Sequence, residues 1–384
     1  MQPFAVIVKP VGSRCNMRCS YCYYLEKDRF SAHEQQSVMS DALLERLISQ
    51  TIAASPGPMV SFTWHGGEPT LAGLDFYRRV VELQKKYLPE GWQAWNNLQT
   101  NGLLLDRDWC RFLAENRFDV GVSVDGSELI HDRNRRDLGG NATYDRVRRS
   151  VERLMKAGIA PDLLCTVTSD SAADPLGTYR ALRDLGSGWM QFIPVLVRQE
   201  DGTMSPQSVS PEAYGDFLVT IFDEWTRNDL GKVDVQLFAE TARVFAGGNA
   251  SLCTLTPECG RIPVVEEDGG VYSCDHFVDP EHRLGYLRDE TALAEYMDSA
   301  VQRDFGESKR SALTAQCRAC PYLACCGGGC KKDRYALSRD GESGHYALCE
   351  GLLRFYRHAD EPLHLMMKWS RKGLTNEQIM KKWR

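Results

Sequence analysis

The stretch GSRCNMRCSYCYY at residues 12–24 places three cysteines, Cys15, Cys19 and Cys22, directly after an apolar run. Structural zinc sites and most iron–sulfur clusters take four protein ligands, so three thiolates leave one metal position without a protein ligand. An open position of this kind can bind a substrate or a cofactor. A zinc site that takes a distant fourth ligand is the alternative, but the spacing C-x3-C-x2-C is uncommon for zinc.

The composition is that of a globular protein with room for two or three domains. The chain has 384 residues, of which 43% are apolar, and its net charge of −6 gives no indication of nucleic-acid binding. No apolar run approaches the roughly 18 residues of a membrane helix, and the N-terminus does not resemble a signal peptide. We therefore expect a cytoplasmic protein with neither a membrane nor a nucleic-acid partner. In a reducing cytosol its 14 cysteines indicate metal or redox chemistry.

Short β-rich runs alternate with helical periodicity over the first half of the chain. The predicted strands lie at 4–10, 60–64, 94–100, 120–124, 163–169 and 190–196. The predicted helices lie at 41–53, 75–87, 106–117, 144–158 and 174–186. This alternation predicts a parallel sheet. A closed TIM barrel needs eight βα units, and the pattern has six strands, so we predict a partial (β/α)6 TIM-like barrel. The cysteine loop follows the first strand, at the C-terminal mouth where such folds place their chemistry.

The alternation ends near residue 235, after which glycine and cysteine become more frequent. We predict a barrel domain at 1–235 and a cysteine-rich domain at 236–384 that ends in a helical tail. The cysteines of this second domain are Cys253, Cys259, Cys274, Cys317, Cys320, Cys325, Cys326, Cys330 and Cys349. The spacing within CRACPYLACCGGGC suits a paired zinc ribbon and an iron–sulfur site about equally. Cys110 and Cys165 are interpreted as small buried hydrophobes.

The three-cysteine loop resembles the C-x3-C-x-aromatic-C signature of the radical SAM superfamily. The resemblance implies a [4Fe-4S] cluster on Cys15, Cys19 and Cys22, whose open iron binds S-adenosylmethionine (SAM) and whose reduction yields a 5′-deoxyadenosyl radical. HGGEPTL at 65–71 is similar to the GGEP motif of that superfamily. The SAM-binding residues that the resemblance implies are Tyr21, Tyr24, Gly66, Gly67, Glu68, Ser123, Asp125, Arg135 and Leu196. Many members have glutamine at the position of His65, which we interpret as a variant and not as a metal ligand.

The C-terminal part resembles the SPASM domain, and motifs along nearly the whole chain are similar to those of the anaerobic sulfatase-maturating enzymes. These motifs include LQTNG, VSVDG and VVEEDGGVYSCDHF. The resemblance implies two auxiliary [4Fe-4S] clusters, the first on Cys253, Cys259, Cys274 and Cys330 and the second on Cys317, Cys320, Cys326 and Cys349. Cys325 is left over, and the choice of Cys326 over Cys325 rests on spacing. Asp275 matches the catalytic base of the family, with a turn-capping carboxylate or His276 in that role as the alternatives.

The family resemblance implies that the protein oxidises a cysteine or serine of a sulfatase to Cα-formylglycine, with auxiliary clusters accepting an electron. The implied substrate is an unfolded or peptide-like segment of the type Cys/Ser-x-Pro-x-Arg, and the implied electron donor is a flavodoxin or ferredoxin. The alternative is a radical SAM/SPASM maturase that installs thioether or carbon–carbon crosslinks in a ribosomally synthesised peptide. A non-enzymatic zinc or iron–sulfur binding module would explain the C-terminal cysteines but not the open three-cysteine site.

Overall fold

A computed structural model of the protein describes residues 3–24, 27, 38–199, 201, 203–287 and 290–383. The chain forms two compact units that interleave along the sequence. The first unit comprises Met1–Ser123, Arg135–Pro161 and Cys259–Glu307, and the second comprises Val124–Asn134, Asp162–Glu258 and Ser308–Arg384. The predicted boundary near residue 235 lies inside the second unit, and the division into two domains stays a prediction from the sequence.

The secondary structure follows the predicted alternation of strands and helices. The strands are β1 (Ala5–Val8), β2 (Met59–Trp64), β3 (Gln93–Thr100), β4 (Asp119–Ser123), β5 (Asp162–Val167), β6 (Trp189–Pro194), β7 (Asp234–Val235), β8 (Val264–Val265), β9 (Gly270–Tyr272), β10 (Arg283–Tyr286), β11 (Ala336–Leu337) and β12 (Ser343–His345). The helices are α1 (Asp41–Ala53), α2 (Leu74–Tyr87), α3 (Arg107–Glu115), α4 (Glu128–Asn134), α5 (Tyr144–Lys156), α6 (Ser169–Ala173), α7 (Pro175–Asp184), α8 (Pro211–Asn228), α9 (Gln236–Phe245), α10 (Leu293–Met297), α11 (Ala300–Ser311), α12 (Ala315–Arg318), α13 (Leu323–Cys326), α14 (Cys349–Arg371) and α15 (Asn376–Met380).

The sheet of the first unit is built from parallel strands. β1, β2, β3 and β4 run parallel in this order, β8 pairs with β1 in the same direction, and β9 and β10 continue antiparallel. Val8 of β1 pairs with Trp64 of β2 and with Val265 of β8. Val8 and Trp64, together with Val6 and Phe62, have no exposed surface, so they fix the strand register through the core. Parallel strands end at one edge, so the loops after β1, β2 and β3 lie together there.

The helices of the first unit begin at side-chain caps. α1 begins at Ser40, whose hydroxyl accepts a 3.3 Å hydrogen bond from Leu43 N, and α3 begins at Asp106, which accepts one of 2.9 Å from Trp109 N. Apolar residues at helical spacing, such as Leu44 of α1, are buried. The helices therefore cover the sheet with apolar faces and leave the loops at the strand ends to form the site.

The second unit combines parallel strands with a helical pair. β5, β6 and β7 run parallel. α8 and α14 approach closely at Gly351, where a Cβ would lie 2.2 Å from a backbone oxygen of α8. The ring of Phe238 lies 5.2 Å from that of Phe222 and 5.3 Å from that of Phe355. This packing fixes α14, whose first residue is Cys349.

The predicted strands and helices before residue 196 are confirmed, with bounds that differ by only a few residues. The structure adds α4, α6, β7 and α9, which the sequence pattern does not predict. β7 has two residues and α4 has seven, and both are too short to show a clear period. Within the described residues, no helix combines the length and the apolar character that a membrane crossing requires.

Candidate active site

The three-cysteine loop follows β1 and is held by hydrogen bonds to the sulfur atom of Cys15. Cys15 Sγ accepts from Met17 N at 3.3 Å and from the side-chain amide of Asn101 at 3.7 Å. Burial raises the pKa of the Cys15 thiol to about 12, and the charges of Glu68 and of the neighbouring thiolates Cys19 and Cys22 raise it as well. The three sulfur atoms are thus close enough to repel one another when ionised.

This donor set fits an iron–sulfur cluster. Metal binding requires deprotonated thiols, and the Cys15 thiol, whose pKa is raised by burial and by the neighbouring negative charges, ionises only with a cationic group beside its sulfur atom. In the described part of the chain, no three His, Cys, Asp or Glu side chains converge as they would on a single metal ion. A cluster spreads its ligands over several irons and does not need that convergence.

The GGEP segment packs its backbone against the cysteine loop. Gly67 N donates to Gly12 O and Glu68 N donates to Arg14 O, both at 2.8 Å. A Cβ on Gly67 would lie 2.1 Å from Arg14 O, which explains why only glycine fits at this position. Gly66 has a φ of +131°, which glycine adopts without strain. The glycine pair therefore shapes the cysteine loop, and its predicted contact with SAM stays a prediction.

Glu68 connects the loops that follow β2 and β3. Its carboxylate is buried and accepts hydrogen bonds from Thr70 N at 3.0 Å, Thr100 Oγ1 at 2.7 Å and Asn101 N at 2.8 Å. Burial raises the pKa of Glu68, and these hydrogen bonds oppose the increase. Because Asn101 also donates to Cys15, Glu68 stabilises the cysteine loop indirectly. Its predicted role in SAM binding is untested.

A buried polar cluster surrounds Asp275 in the first unit. Lys9 has no exposed surface, and its ammonium group forms an ion pair with Asp275 Oδ1. The same ammonium lies 3.0 Å from His65 Nδ1 and 4.1 Å from the centre of the Tyr24 ring. The Tyr23 hydroxyl donates to Asp275 Oδ2. Both oxygens of this carboxylate are therefore held, and its side chain is only 16% exposed.

The charges of this cluster keep Asp275 ionised. Burial alone would raise the pKa of Asp275, but Lys9, His65 and His276 together hold it well below its usual range. Burial and the charge of Lys9 lower the pKa of His65 to about 4, so this ring is neutral near pH 7. His65 Nδ1 accepts hydrogen bonds from the Lys9 ammonium group and from Gly66 N, the latter at 2.8 Å. The proton of the neutral ring therefore lies on Nε2.

Tyr24 and Tyr21 lie in different environments within the first unit. The Tyr24 ring is buried and its hydroxyl donates to Glu266, whose pKa burial raises to about 8 against the opposing effect of Lys9. The guanidinium group of Arg135 lies 5.5 Å from the centre of the Tyr21 ring. The structure thus places Tyr24 beside the Asp275 cluster and Tyr21 beside Arg135. The SAM contacts assigned to these three predicted residues remain untested.

The remaining predicted SAM-binding residues are divided between the units. Ser123 ends β4 in the first unit and accepts a 3.2 Å hydrogen bond from Gln99. Asp125 lies in the second unit, where it is fully buried and accepts from Thr166 N at 3.1 Å and from Thr166 Oγ1 at 2.6 Å. Leu196 follows β6 in the second unit and is half-buried. Their roles in cofactor binding stay predictions.

Four thiols of the second unit lie near one another. Burial raises the pKa of Cys326 to about 11, and the charges of Cys317 and Cys320 raise it as well. Burial raises the pKa of Cys349 to about 12, with further increases from Cys326, Cys317 and Cys320. The predicted ligands of the second auxiliary cluster are therefore neighbours, which fits an iron–sulfur group for the same reason as in the three-cysteine loop. Cys325 is buried beside them.

The predicted ligands of the first auxiliary cluster do not belong to one unit. Cys253 and Cys330 lie in the second unit, where Cys253 is among the charges that raise the pKa of Cys330, after burial and Asp333. Cys259 and Cys274 lie in the first unit. This ligand set stays a prediction from the family resemblance.

Lys9 and Glu266 belong to the site, although the sequence pattern does not predict them there. Lys9 is the one ionisable residue within the apolar run FAVIVKP, and a charge at the end of a buried strand is a signal that could have been used. Glu266 follows the buried pair Val264 and Val265 in the same way.

Comparisons with known proteins identify the family to which the chain belongs. Residues 10–172 match the Radical SAM superfamily, and residues 253–321 match a family described as an iron–sulfur cluster-binding domain, SPASM. A serine-type anaerobic sulfatase-maturating enzyme of Bacteroides thetaiotaomicron is 39% identical over 98% of this chain and 93% of the relative. The chain belongs to the anaerobic sulfatase-maturating enzymes. A cysteine-type member from Clostridium perfringens is 34% identical over 94% of this chain and 97% of the relative.

A solved structure of the family confirms the predicted fold class. Native anSMEcpe with bound AdoMet and Cp18Cys peptide superimposes with a TM-score of 0.86 at 31% identity, covering 95% of this chain and 99% of that one. The α/β fold with its parallel sheet and C-terminal SPASM domain is therefore confirmed. The assignment to the radical SAM enzymes, which use SAM and iron–sulfur clusters, is also confirmed. Enzymes of this family act on a peptide substrate.

Proposed function

We propose that this anaerobic sulfatase-maturating enzyme oxidises one cysteine or serine side chain of a sulfatase to Cα-formylglycine, with Asp275 as the base. The observation that carries this assignment is the buried ion pair of Asp275 with Lys9. This ion pair keeps the Asp275 carboxylate ionised. Asp275 directly follows Cys274 in the chain, and its carboxylate accepts a hydrogen bond from Tyr23, which directly follows Cys22. A proton acceptor in this place lies next to two predicted cluster ligands.

The reaction removes two electrons and two protons from the –CH2–OH or –CH2–SH group of the substrate. When bound, SAM and the clusters supply the radical that takes a hydrogen atom from Cβ and accept the one electron that remains. Asp275 takes the second proton, from the hydroxyl or thiol. A serine gives the aldehyde directly, whereas a cysteine gives a thioaldehyde that water hydrolyses.

Three neighbours prepare Asp275 for this step. Lys9 compensates its charge, and the Tyr23 hydroxyl fixes its second oxygen. His65 is neutral, and because its Nδ1 accepts from Lys9 and Gly66, its Nε2 proton is the one available for donation. The Asp275 side chain is only 16% exposed, which limits the access of water to the carboxylate.

The substrate that we propose is an unfolded or peptide-like segment of the type Cys/Ser-x-Pro-x-Arg. Both serine-type and cysteine-type enzymes are among the relatives, so a pair of peptides that differ only in this residue decides the preferred target. A flavodoxin or ferredoxin is the proposed source of the electron that starts each turnover.

The decisive assay is anaerobic and follows two products. Reconstituted enzyme receives SAM, a reductant and each peptide, and peptide mass and 5′-deoxyadenosine are measured together. We expect an aldehyde-bearing peptide, and we expect Asp275→Asn to lower its formation by roughly 100-fold or more. Asp298→Asn, at an exposed aspartate of the same unit, serves as the control and retains the parent rate.

Two outcomes would contradict the assignment. Aldehyde formation at the parent rate in Asp275→Asn would exclude this residue as the base. Deoxyadenosine without any change in either peptide would exclude the sulfatase substrate, and short precursor peptides would then be the substrates to test.

A further inference from the structure

The cysteine loop is paired at its outer side with a second loop of the first unit. Arg18 N donates to Arg136 O at 2.9 Å, and Met17 forms an antiparallel bridge with Asp137. Arg18 directly precedes Cys19, a predicted ligand of the first cluster. Residues 136–138 are therefore fixed beside the cluster loop by backbone contacts.

The side chains on this paired surface are basic and exposed around one apolar residue. Arg18 and Arg136 are exposed, and Leu138 is 67% exposed. Arg146 is 45% exposed, and its guanidinium group lies 3.3 Å from Asp137. We call Arg18, Arg136, Leu138 and Arg146 the arginine patch.

The charge of this region is opposite to that of the whole protein. The chain has a net charge of −6, but residues 10–24 contain Arg14 and Arg18 and no acidic residue. Residues 136–149 contain four arginines and two aspartates. A local positive field on an acidic protein attracts an acidic partner to this place and repels it elsewhere.

We propose that the arginine patch is the docking surface for the acidic redox protein that reduces the first cluster. This inference rests on the proposed function, because the reaction needs one electron from outside. The donor loses one electron and the cluster gains it. Arg18 adjoins Cys19 in the chain, so a donor seated on the arginine patch brings its redox group close to the cluster. Exposed Leu138 gives the contact an apolar centre with a charged rim, as in other transient interfaces.

The test uses a purified bacterial flavodoxin in its fully reduced form as the probe. The double variant Arg18→Glu/Arg136→Glu is compared with Arg78→Glu/Arg111→Glu, which makes the same charge change at side chains of α2 and α3 that are 55% and 67% exposed. Both variants are first matched to the parent in iron content. Flavodoxin binding is measured by calorimetry, and cluster reduction is measured by the loss of visible absorption after rapid mixing.

At low salt, we expect the arginine-patch variant to bind flavodoxin at least about tenfold more weakly than the parent does. We also expect flavodoxin to reduce the cluster of this variant at least about tenfold more slowly. The affinity and the reduction rate of the control variant stay within about twofold of the parent values. Added salt reduces the difference between the arginine-patch variant and the parent, because salt screens surface charges. Binding and reduction at the parent level in the arginine-patch variant would overturn the proposal, and so would equal losses in the control variant.

A second reductant separates this proposal from the proposed function. With dithionite in place of flavodoxin, peptide oxidation by the arginine-patch variant remains within about twofold of the parent, since the substrate chemistry is intact. If the unmodified enzyme oxidises neither peptide with dithionite, the proposed function fails, while the flavodoxin binding and reduction data still decide the role of the arginine patch. A variant that loses activity with both reductants would overturn the docking role.

Discussion

Lys9 shows at the scale of one residue how the site is held together. Its ammonium group is fully buried, and it is stable there because Asp275 supplies a compensating charge and the Tyr24 ring supplies a cation–π contact. The sequence predicts Asp275 from its place beside Cys274 but does not predict Lys9. The two residues are 266 positions apart in the chain, and the pairing of β1 with β8 brings their segments together.

Replacing Lys9 tests this pairing by its effect on stability. Lys9→Met leaves the Asp275 carboxylate buried without its counter-charge, and we expect a loss of about 3 kcal/mol in the free energy of unfolding. The double variant Lys9→Met/Asp275→Asn removes the unpaired charge and should recover part of this loss. Anaerobic denaturant titration of the parent, both single variants and the double variant measures the coupling. Strictly additive losses would show that the ion pair does not stabilise the fold.

His345 is a second residue whose role depends on one contact. It is buried, and its Nδ1 lies 3.5 Å from Cys317 Sγ and 2.9 Å from Thr314 Oγ1. A cluster-bound thiolate can only accept a hydrogen bond, so the ring donates to it in the tautomer with the proton on Nδ1. Such a bond stabilises the added negative charge of a reduced cluster.

We therefore expect His345→Phe, which keeps a ring but removes the donor, to lower the reduction potential of an auxiliary cluster. Potentiometric titration followed by electron paramagnetic resonance measures this value directly. His364→Phe, at an exposed histidine of α14, is the control and should leave the potential unchanged. An unchanged potential in His345→Phe would mean that the sulfur receives no functional hydrogen bond from this ring.

At the scale of elements, the sequence predicts the strands and helices that show a clear period. The six early strands and the helices between them repeat apolar residues every two or every three to four positions, and this is the pattern that burial requires. The sequence does not predict how one loop packs on another. Gly67 is recognised in the GGEP motif, but its contact with the backbone of Arg14 follows from the fold and not from local spacing.

Gly67→Ala tests whether the loop after β2 shapes the cysteine loop. The added Cβ would meet Arg14 O at 2.1 Å, and no positive φ contributes to the strain, so the backbone around Arg14 must move. We expect a loss of roughly 1–3 kcal/mol in stability and a weaker resonance signal from the reduced cluster that responds to SAM. In Gly139→Ala the nearest atom is the flexible amide of Asn141 at 2.9 Å, so this control should resemble the parent. Full cluster occupancy in Gly67→Ala would exclude this role for the GGEP backbone.

At the scale of the whole molecule, the chain returns to each of its two units more than once. The C-terminal segment Cys259–Glu307 therefore belongs to the same unit as the N-terminal cysteine loop, and this is why Asp275 can contact Tyr23. A linear sequence pattern predicts which segments carry cysteines but not this interleaving, because the contacts that create it join residues far apart in the chain. The SPASM motif and the radical SAM motif thus contribute to one site.

The total iron content tests the cluster assignment for the whole molecule. Three four-iron clusters predict about twelve irons and as many sulfides per chain, whereas zinc without sulfide would contradict the iron–sulfur assignment. Removing two predicted ligands in Cys326→Ala/Cys349→Ala should lower the iron content to about eight. Cys325→Ala is the matched control, because it removes the adjacent buried thiol and should keep about twelve. If Cys325→Ala loses iron and Cys326→Ala does not, the ligand is Cys325, and the spacing argument that favoured Cys326 is wrong.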